Sequence, residues 1–144
     1  MGYEYFGRPY VIGEAPGRSN GTPLRGARRR IAKLVELDED DLLEMFHWQN
    51  LLDQWPGYGP NGGSHFPMDA AREAARHVSE RPLILLGRRV ATAFGVDQPW
   101  FGWRDGIAVT PHPSGLSRWW NDPANLEAAR VFWRTQVLTG GWRE

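Results

Sequence analysis

Three residues able to do chemistry stand at the ends of short apolar runs: Glu14, Asn50 and His112. Glu14 lies in Tyr10-Val11-Ile12-Gly13-Glu14-Ala15-Pro16-Gly17, where a strand-like run feeds a turn of small and rigid residues. A carboxylate held there can stabilise a developing cation or orient an attacking water. Asn50 closes an apolar run, and its amide offers a donor and an acceptor together, as recognition of a base edge requires. His112 sits between Pro111 and Pro113, ahead of Ser114 and Gly115. The proline after it restricts its backbone to extended forms, and such a stiff loop can fix an imidazole. Each residue also has a plainer reading: a solvated glutamate in a strand-to-helix turn, an amide bonded to a loop, a surface histidine. His47, His65 and His77 have no comparable setting and read as structural.

The elements that must position these residues follow from the apolar pattern. Tyr10 to Gly13, Met45 to Leu51, Leu83 to Gly87 and Ile107 to Thr110 read as buried strands. Between and after them, helical patterns run over Leu24 to Leu37, Met68 to Ser79, Arg88 to Phe94 and Pro123 to Leu138. Asp122 is placed to cap the last of these, with Pro123 at its first position. Strands alternating with helices predict an α/β fold, three layers α/β/α around a central four-stranded parallel sheet. In such sheets ligands bind beyond the carboxyl ends of the strands. Glu14, Asn50 and His112 then share one edge, and an acid, an amide and an imidazole meet in a cleft.

Composition sets the frame. The 144 residues suit a single domain spanning 1–144, and no repeat or low-complexity segment divides them. With 41% hydrophobic and 24% charged residues the chain reads as globular rather than disordered. Seventeen basic residues balance seventeen acidic ones, so any basic surface must be local. Arg25, Arg28, Arg29 and Arg30 form such a local run, followed at once by the acids Asp38 to Asp41 and Glu44. The chain has no cysteine, which excludes disulfides, thiolate zinc sites and cysteine-held iron–sulfur clusters. No cofactor and no metal are expected. The opening Met1-Gly2-Tyr3-Glu4-Tyr5 lacks the pattern of a signal peptide, and no apolar run approaches a membrane span, so a cytoplasmic protein without a membrane partner is expected. Trp119 and Trp120 are not both expected to be buried.

Taken in order, these pieces resemble the uracil-DNA glycosylase superfamily, and within it the bacterial and archaeal branch that normally carries an iron–sulfur cluster. Gly13-Glu14-Ala15-Pro16-Gly17 matches that branch's first motif letter for letter. Gly21-Thr22-Pro23-Leu24-Arg25-Gly26 is similar to its next segment, Asn50 falls where the family has its base-reading asparagine, and Leu83 to Arg88 looks like the family's third strand and Leu-Gly turn. His112-Pro113-Ser114-Gly115-Leu116-Ser117-Arg118 resembles the second catalytic motif, and its Pro-Ser-Gly-Leu-Ser-Arg portion is also similar to the mismatch-specific branch. The resemblance runs from about residue 10 to 138.

The resemblance implies a monofunctional glycosylase that hydrolyses the N-glycosidic bond of a flipped-out uracil or related pyrimidine in DNA and leaves an abasic site. Glu14 and His112 would be catalytic, Glu14 under the sugar and His112 donating to the departing base. Ala15, Leu24 and Asn50 would meet the base. Gly17, Arg25, Ser114, Gly115, Leu116, Ser117 and Arg118 would meet DNA, with Leu116 the wedge that fills the gap left in the stack. A monomer acting on DNA is implied. Three departures stand out. The cluster cysteines are missing, the loop from Gly17 to Gly21 is short, and Leu24 stands where the family places a phenylalanine that stacks on the base. Leu24 favours an altered base as the alternative substrate. A non-catalytic DNA- or nucleotide-binding protein of the same fold is the remaining alternative, favoured by the neutral net charge and opposed by the intact Glu14, Asn50 and His112.

Overall fold

The third apolar run, Leu83-Ile84-Leu85-Leu86, has no polar position, and all four residues are buried. A strand of this kind must be covered on both faces, which is the condition of a parallel sheet wrapped by helices. The structure is a computed structural model, described for residues 8–15, 24–54, 56–57, 66–113 and 118–140. Its elements are β1 (Tyr10–Gly13), α1 (Arg25–Val35), α2 (Glu39–Met45), β2 (His47–Asn50), α3 (Met68–Arg76), β3 (Leu83–Leu86), α4 (Arg88–Ala93), β4 (Ile107–Thr110), a short 3₁₀ turn (Arg118–Asn121), α5 (Pro123–Phe132) and a π turn (Trp133–Val137).

The four strands form one all-parallel sheet in the order β2-β1-β3-β4. Its side chains alternate between two cores. Val11, Ile84, Leu86 and Ala108 pack with α1, α2, α5 and the π turn, around Ile31, Leu42, Phe132 and Trp133. Ile12, Leu83, Leu85, Ile107 and Val109 pack with α3 and α4, around Ala71, Ala75 and Val90. Helices thus cover both faces, as right-handed crossovers require: the move from β1 to β2 runs one way along the sheet, and the moves to β3 and β4 run the other.

The expected elements are present, with shifted ends. Met45, read from sequence as the start of a strand, ends α2 instead. This helix was not foreseen. Asp38 caps it by accepting from the Asp40 backbone N–H at 2.8 Å, and Glu39, Asp40 and Asp41 fill its first turn, where the helix dipole favours negative charge. The last helix begins as expected, with the Asp122 carboxylate accepting from the Ala124 N–H at 2.9 Å. Trp120 is buried and Trp119 half-buried, against Phe101. Among the described residues no helix is long and apolar enough to cross a membrane.

Candidate functional site

The strand order reverses direction between β1 and β3. In doubly wound sheets with this 2-1-3-4 start, the crevice at the carboxyl ends of those two strands is open, because the following helices leave to opposite faces. Glu14 directly follows β1, and Arg89 is the second residue of α4, just after β3. The two bracket that crevice.

Both oxygens of Glu14 accept from one guanidinium. Arg89 donates from Nη2 to Oε1 at 2.6 Å and from Nε to Oε2 at 3.1 Å. The Glu14 side chain is 18% exposed and that of Arg89 46%. Arg89 also lies over the ring of Phe66, with 5.2 Å from the guanidinium carbon to the ring centroid. His112 follows β4 and senses both charges. Burial pushes its imidazole below the usual 6.5; Glu14 opposes the shift and Arg89 reinforces it. His112 is therefore neutral at pH 7 and carries one N–H donor and one acceptor. Its carbonyl accepts from Trp120 Nε1 at 2.7 Å, which ties the His112 loop to the 3₁₀ turn. Gly87, at φ +98°, lets α4 start against the histidine: a Cβ there would stand 3.3 Å from His112 Cβ.

Asn50 ends β2 in register with Gly13 of β1. Its Oδ1 is buried and has no hydrogen-bond partner among the described residues. An acceptor in that state is costly, and in native proteins it calls for an explanation such as a ligand. Leu24 reaches the same place from the start of α1. It holds a left-handed backbone, φ 58° and ψ 33°, which is rare for a branched aliphatic residue and concentrates at functional sites. Its side chain packs over Gly13. Gly13 and Asn50 are register partners, so Leu24 and Asn50 share one face of the sheet edge. Ala15 is half-buried against the α3–α4 core.

The chain matches no family model and no curated protein.

Of the residues singled out from sequence, Glu14 and His112 form one electrostatic group together with Arg89, and Leu24 and Asn50 lie at the neighbouring strand ends. Arg25 is exposed at the start of α1, and Arg118 is exposed at the start of the 3₁₀ turn joined to His112. Gly17, Ser114, Gly115, Leu116 and Ser117 lie outside the described residues. Arg28 does not belong to the local basic surface that the Arg25–Arg30 run suggests. It is 5% exposed, and its guanidinium lies 5.9 Å from the Trp48 ring centroid. Arg29 faces Glu39 at 3.5 Å.

Sequence reasoning missed Arg89 and Phe66 as members of the site. The pair Arg88-Arg89 was visible at the end of the third strand, but not which arginine turns to the crevice. Arg88 goes elsewhere: it donates to the Gln98 carbonyl at 2.6 Å and stacks on Trp100 at 3.8 Å. The ligand set of an iron–sulfur cluster does not fit this chain, which has no cysteine, and no cluster of His, Asp or Glu among the described residues is arranged to hold a metal ion. A cavity of about 510 Å³ lies between α1 and α5, lined in part by Arg30, Lys33, Trp120 and Leu126. It contains none of the residues at the strand ends, and its flanking charges Glu127 and Glu36 are paired with Arg130 and Arg134.

Proposed function

We propose that this protein is a DNA glycosylase of the uracil-DNA glycosylase type, hydrolysing the N-glycosidic bond of a flipped-out uracil or related pyrimidine and leaving an abasic site. The observation that carries the reading is the buried Asn50 Oδ1, without a partner among the described residues, set in register with Gly13 and one residue from the Glu14 strand end. Such an acceptor suits a donor on a base edge, and a base reaches it only by leaving the stack.

The chemistry follows from the charges. As the C1′–N bond lengthens, its electron pair moves to the base and positive charge gathers on the sugar. The Glu14 carboxylate stabilises that cation or orients the attacking water. His112, neutral because it is buried, donates its N–H to the carbonyl oxygen where the base becomes anionic. Water adds to C1′ and gives up a proton, and the base departs. Leu24 covers the base, and Arg25 and Arg118 meet phosphates.

Leu24 supports a second reading within the same chemistry. Its aliphatic side chain, where the resembled family has an aromatic ring, suits a bulkier or non-planar altered base. Both readings are tested on a panel of oligonucleotides, each carrying one altered base, treated with enzyme and then with alkali to cut abasic sites. Cleavage at uracil supports the first reading, and cleavage at a larger base but not at uracil supports the second. Glu14→Ala and His112→Ala should each slow single-turnover release by about 100- to 1000-fold with DNA affinity retained, the usual cost of losing a preorganised charge or donor. No abasic site with any base would overturn the proposal.

A further inference from the structure

We propose that Arg89 is the positioning residue of this site: backed by Phe66, its guanidinium fork fixes the Glu14 carboxylate in the single orientation that base release uses. The inference rests on the glycosylase reading for its catalytic consequence, and on geometry for the clasp itself.

The fork is side-on and bidentate, one nitrogen to each carboxylate oxygen at 2.6 and 3.1 Å, so rotation of the carboxylate breaks both bonds at once. Arg89 is anchored from two sides. It belongs to α4, whose start is set by Gly87 against His112, and its cationic face rests on Phe66, just ahead of α3. A glutamate at a strand end has three side-chain torsions to lose, and without the clasp the carboxylate would sample several rotamers. With Arg89 half-exposed, such an ion pair adds little to fold stability. Its effect is therefore orientation rather than stability. It has an electrostatic consequence too. The charged groups acting on the imidazole are Glu14, from the end of β1, and Arg89, from α4, with opposite signs. Arg89 thus also offsets part of the pull of the Glu14 charge on a proton at His112, alongside burial, which is the larger effect.

Two measurements test this, one of which needs no turnover. Ring-proton NMR of His112 should show its titration at higher pH in Arg89→Gln than in wild type, because the cation that partly offsets the carboxylate is gone, and at lower pH in Glu14→Gln. An unmoved titration in Arg89→Gln would overturn the clasp whether or not the protein is a glycosylase. In single-turnover assays Arg89→Gln should lose about 100-fold, the cost of misplacing a catalytic group by about an ångström. Arg89→Lys keeps the charge without the fork, so it should leave the His112 titration near wild type while still losing rate. In a Glu14→Gln background the Arg89→Gln loss should vanish, since residues that act through one another are not additive. Full activity of Arg89→Lys, or an undiminished loss in the Glu14→Gln background, would overturn the positioning role. A wild type that releases no base refutes the glycosylase reading alone, and the titration still decides the clasp.

Discussion

Leu24 occupies the space that a side chain on Gly13 would need. A Cβ built on Gly13 overlaps Leu24 Cδ2 and stands 3.1 Å from its Cγ. The contact lies at the carboxyl end of β1, one residue before Glu14, so the sheet edge and the start of α1 are keyed together there. Gly13→Ala should force Leu24 off this floor and destabilise the fold by about 1–3 kcal/mol, the usual range for overpacking. Leu24→Ala in the same chain should recover most of it. Denaturant midpoints of the three variants check this, and a double variant no more stable than Gly13→Ala would mean that the glycine serves backbone geometry instead.

Leu24 also bears on substrate choice. An aromatic ring stacked on a base is worth about 1–3 kcal/mol, which is about one to two orders of magnitude in capture. Leu24→Phe should therefore raise activity on uracil relative to any larger base that the wild type accepts. Should wild type already remove uracil efficiently and the substitution prove neutral, another side chain covers the base. Phe66 is the candidate, since it borders the Arg89–Glu14 pair, whereas Trp48 is engaged, donating to the Leu42 carbonyl and packing edge-on against Phe46.

Asn50 trades stability for recognition. Its Oδ1, without a partner among the described residues, costs the free protein about 1–3 kcal/mol. Asn50→Leu, close in volume and without the acceptor, should shift the unfolding midpoint upward and abolish base release. A lower midpoint would show that the amide is satisfied in solution and is not held for a ligand.

His112 makes stability depend on pH with a definite sign. Its folded-state value lies below the usual 6.5, chiefly through burial. Above that pH both folded and unfolded states hold a neutral imidazole and the group contributes nothing. As pH falls below about 6.5 the unfolded chain takes up a proton that the folded one resists, so stability is lost, by at most about 1.4 kcal/mol per pH unit for one group. Unfolding free energies of wild type and His112→Gln, measured from pH 7.5 to 5, should diverge in that direction as the solution becomes more acid. Parallel curves would place His112 in solvent.

The arginines divide by burial. Arg25 and Arg118 are exposed near the site, so Arg25→Ala and Arg118→Ala should each flatten the slope of log affinity against log salt by about 0.7 to 0.9. Arg28→Ala should leave the slope unchanged and lower stability instead, because its side chain is packed beside Trp48. A flattened slope in Arg28→Ala would reverse the assignment.

Much of this was legible in the chain itself. Apolar runs of four or five residues, each broken by glycine or proline, define β1, β3 and β4 almost to the residue, because a doubly covered strand is built almost entirely of apolar side chains. Asp122-Pro123 marks a helix start through a local hydrogen bond. Glu14 and His112 were recognisable as strand-end residues for the same reason; Asn50 ends the edge strand β2, which is half-exposed rather than buried as expected, because only one side of it is paired. The burial of Arg28 had a signal that its charge obscured: it precedes Ile31, Ala32 and Val35 by three, four and seven positions, the spacing of one helix face. Asp38 with three following acids was a signal for α2 that went unread, because the helix is too short to show a period of its own. What only the tertiary structure decided is adjacency. That β3 lies beside β1, bringing Arg89 onto Glu14 and both charges onto His112, depends on pairing between segments more than seventy residues apart. Local periodicity records how an element buries itself, and it carries no record of which distant element will lie next to it.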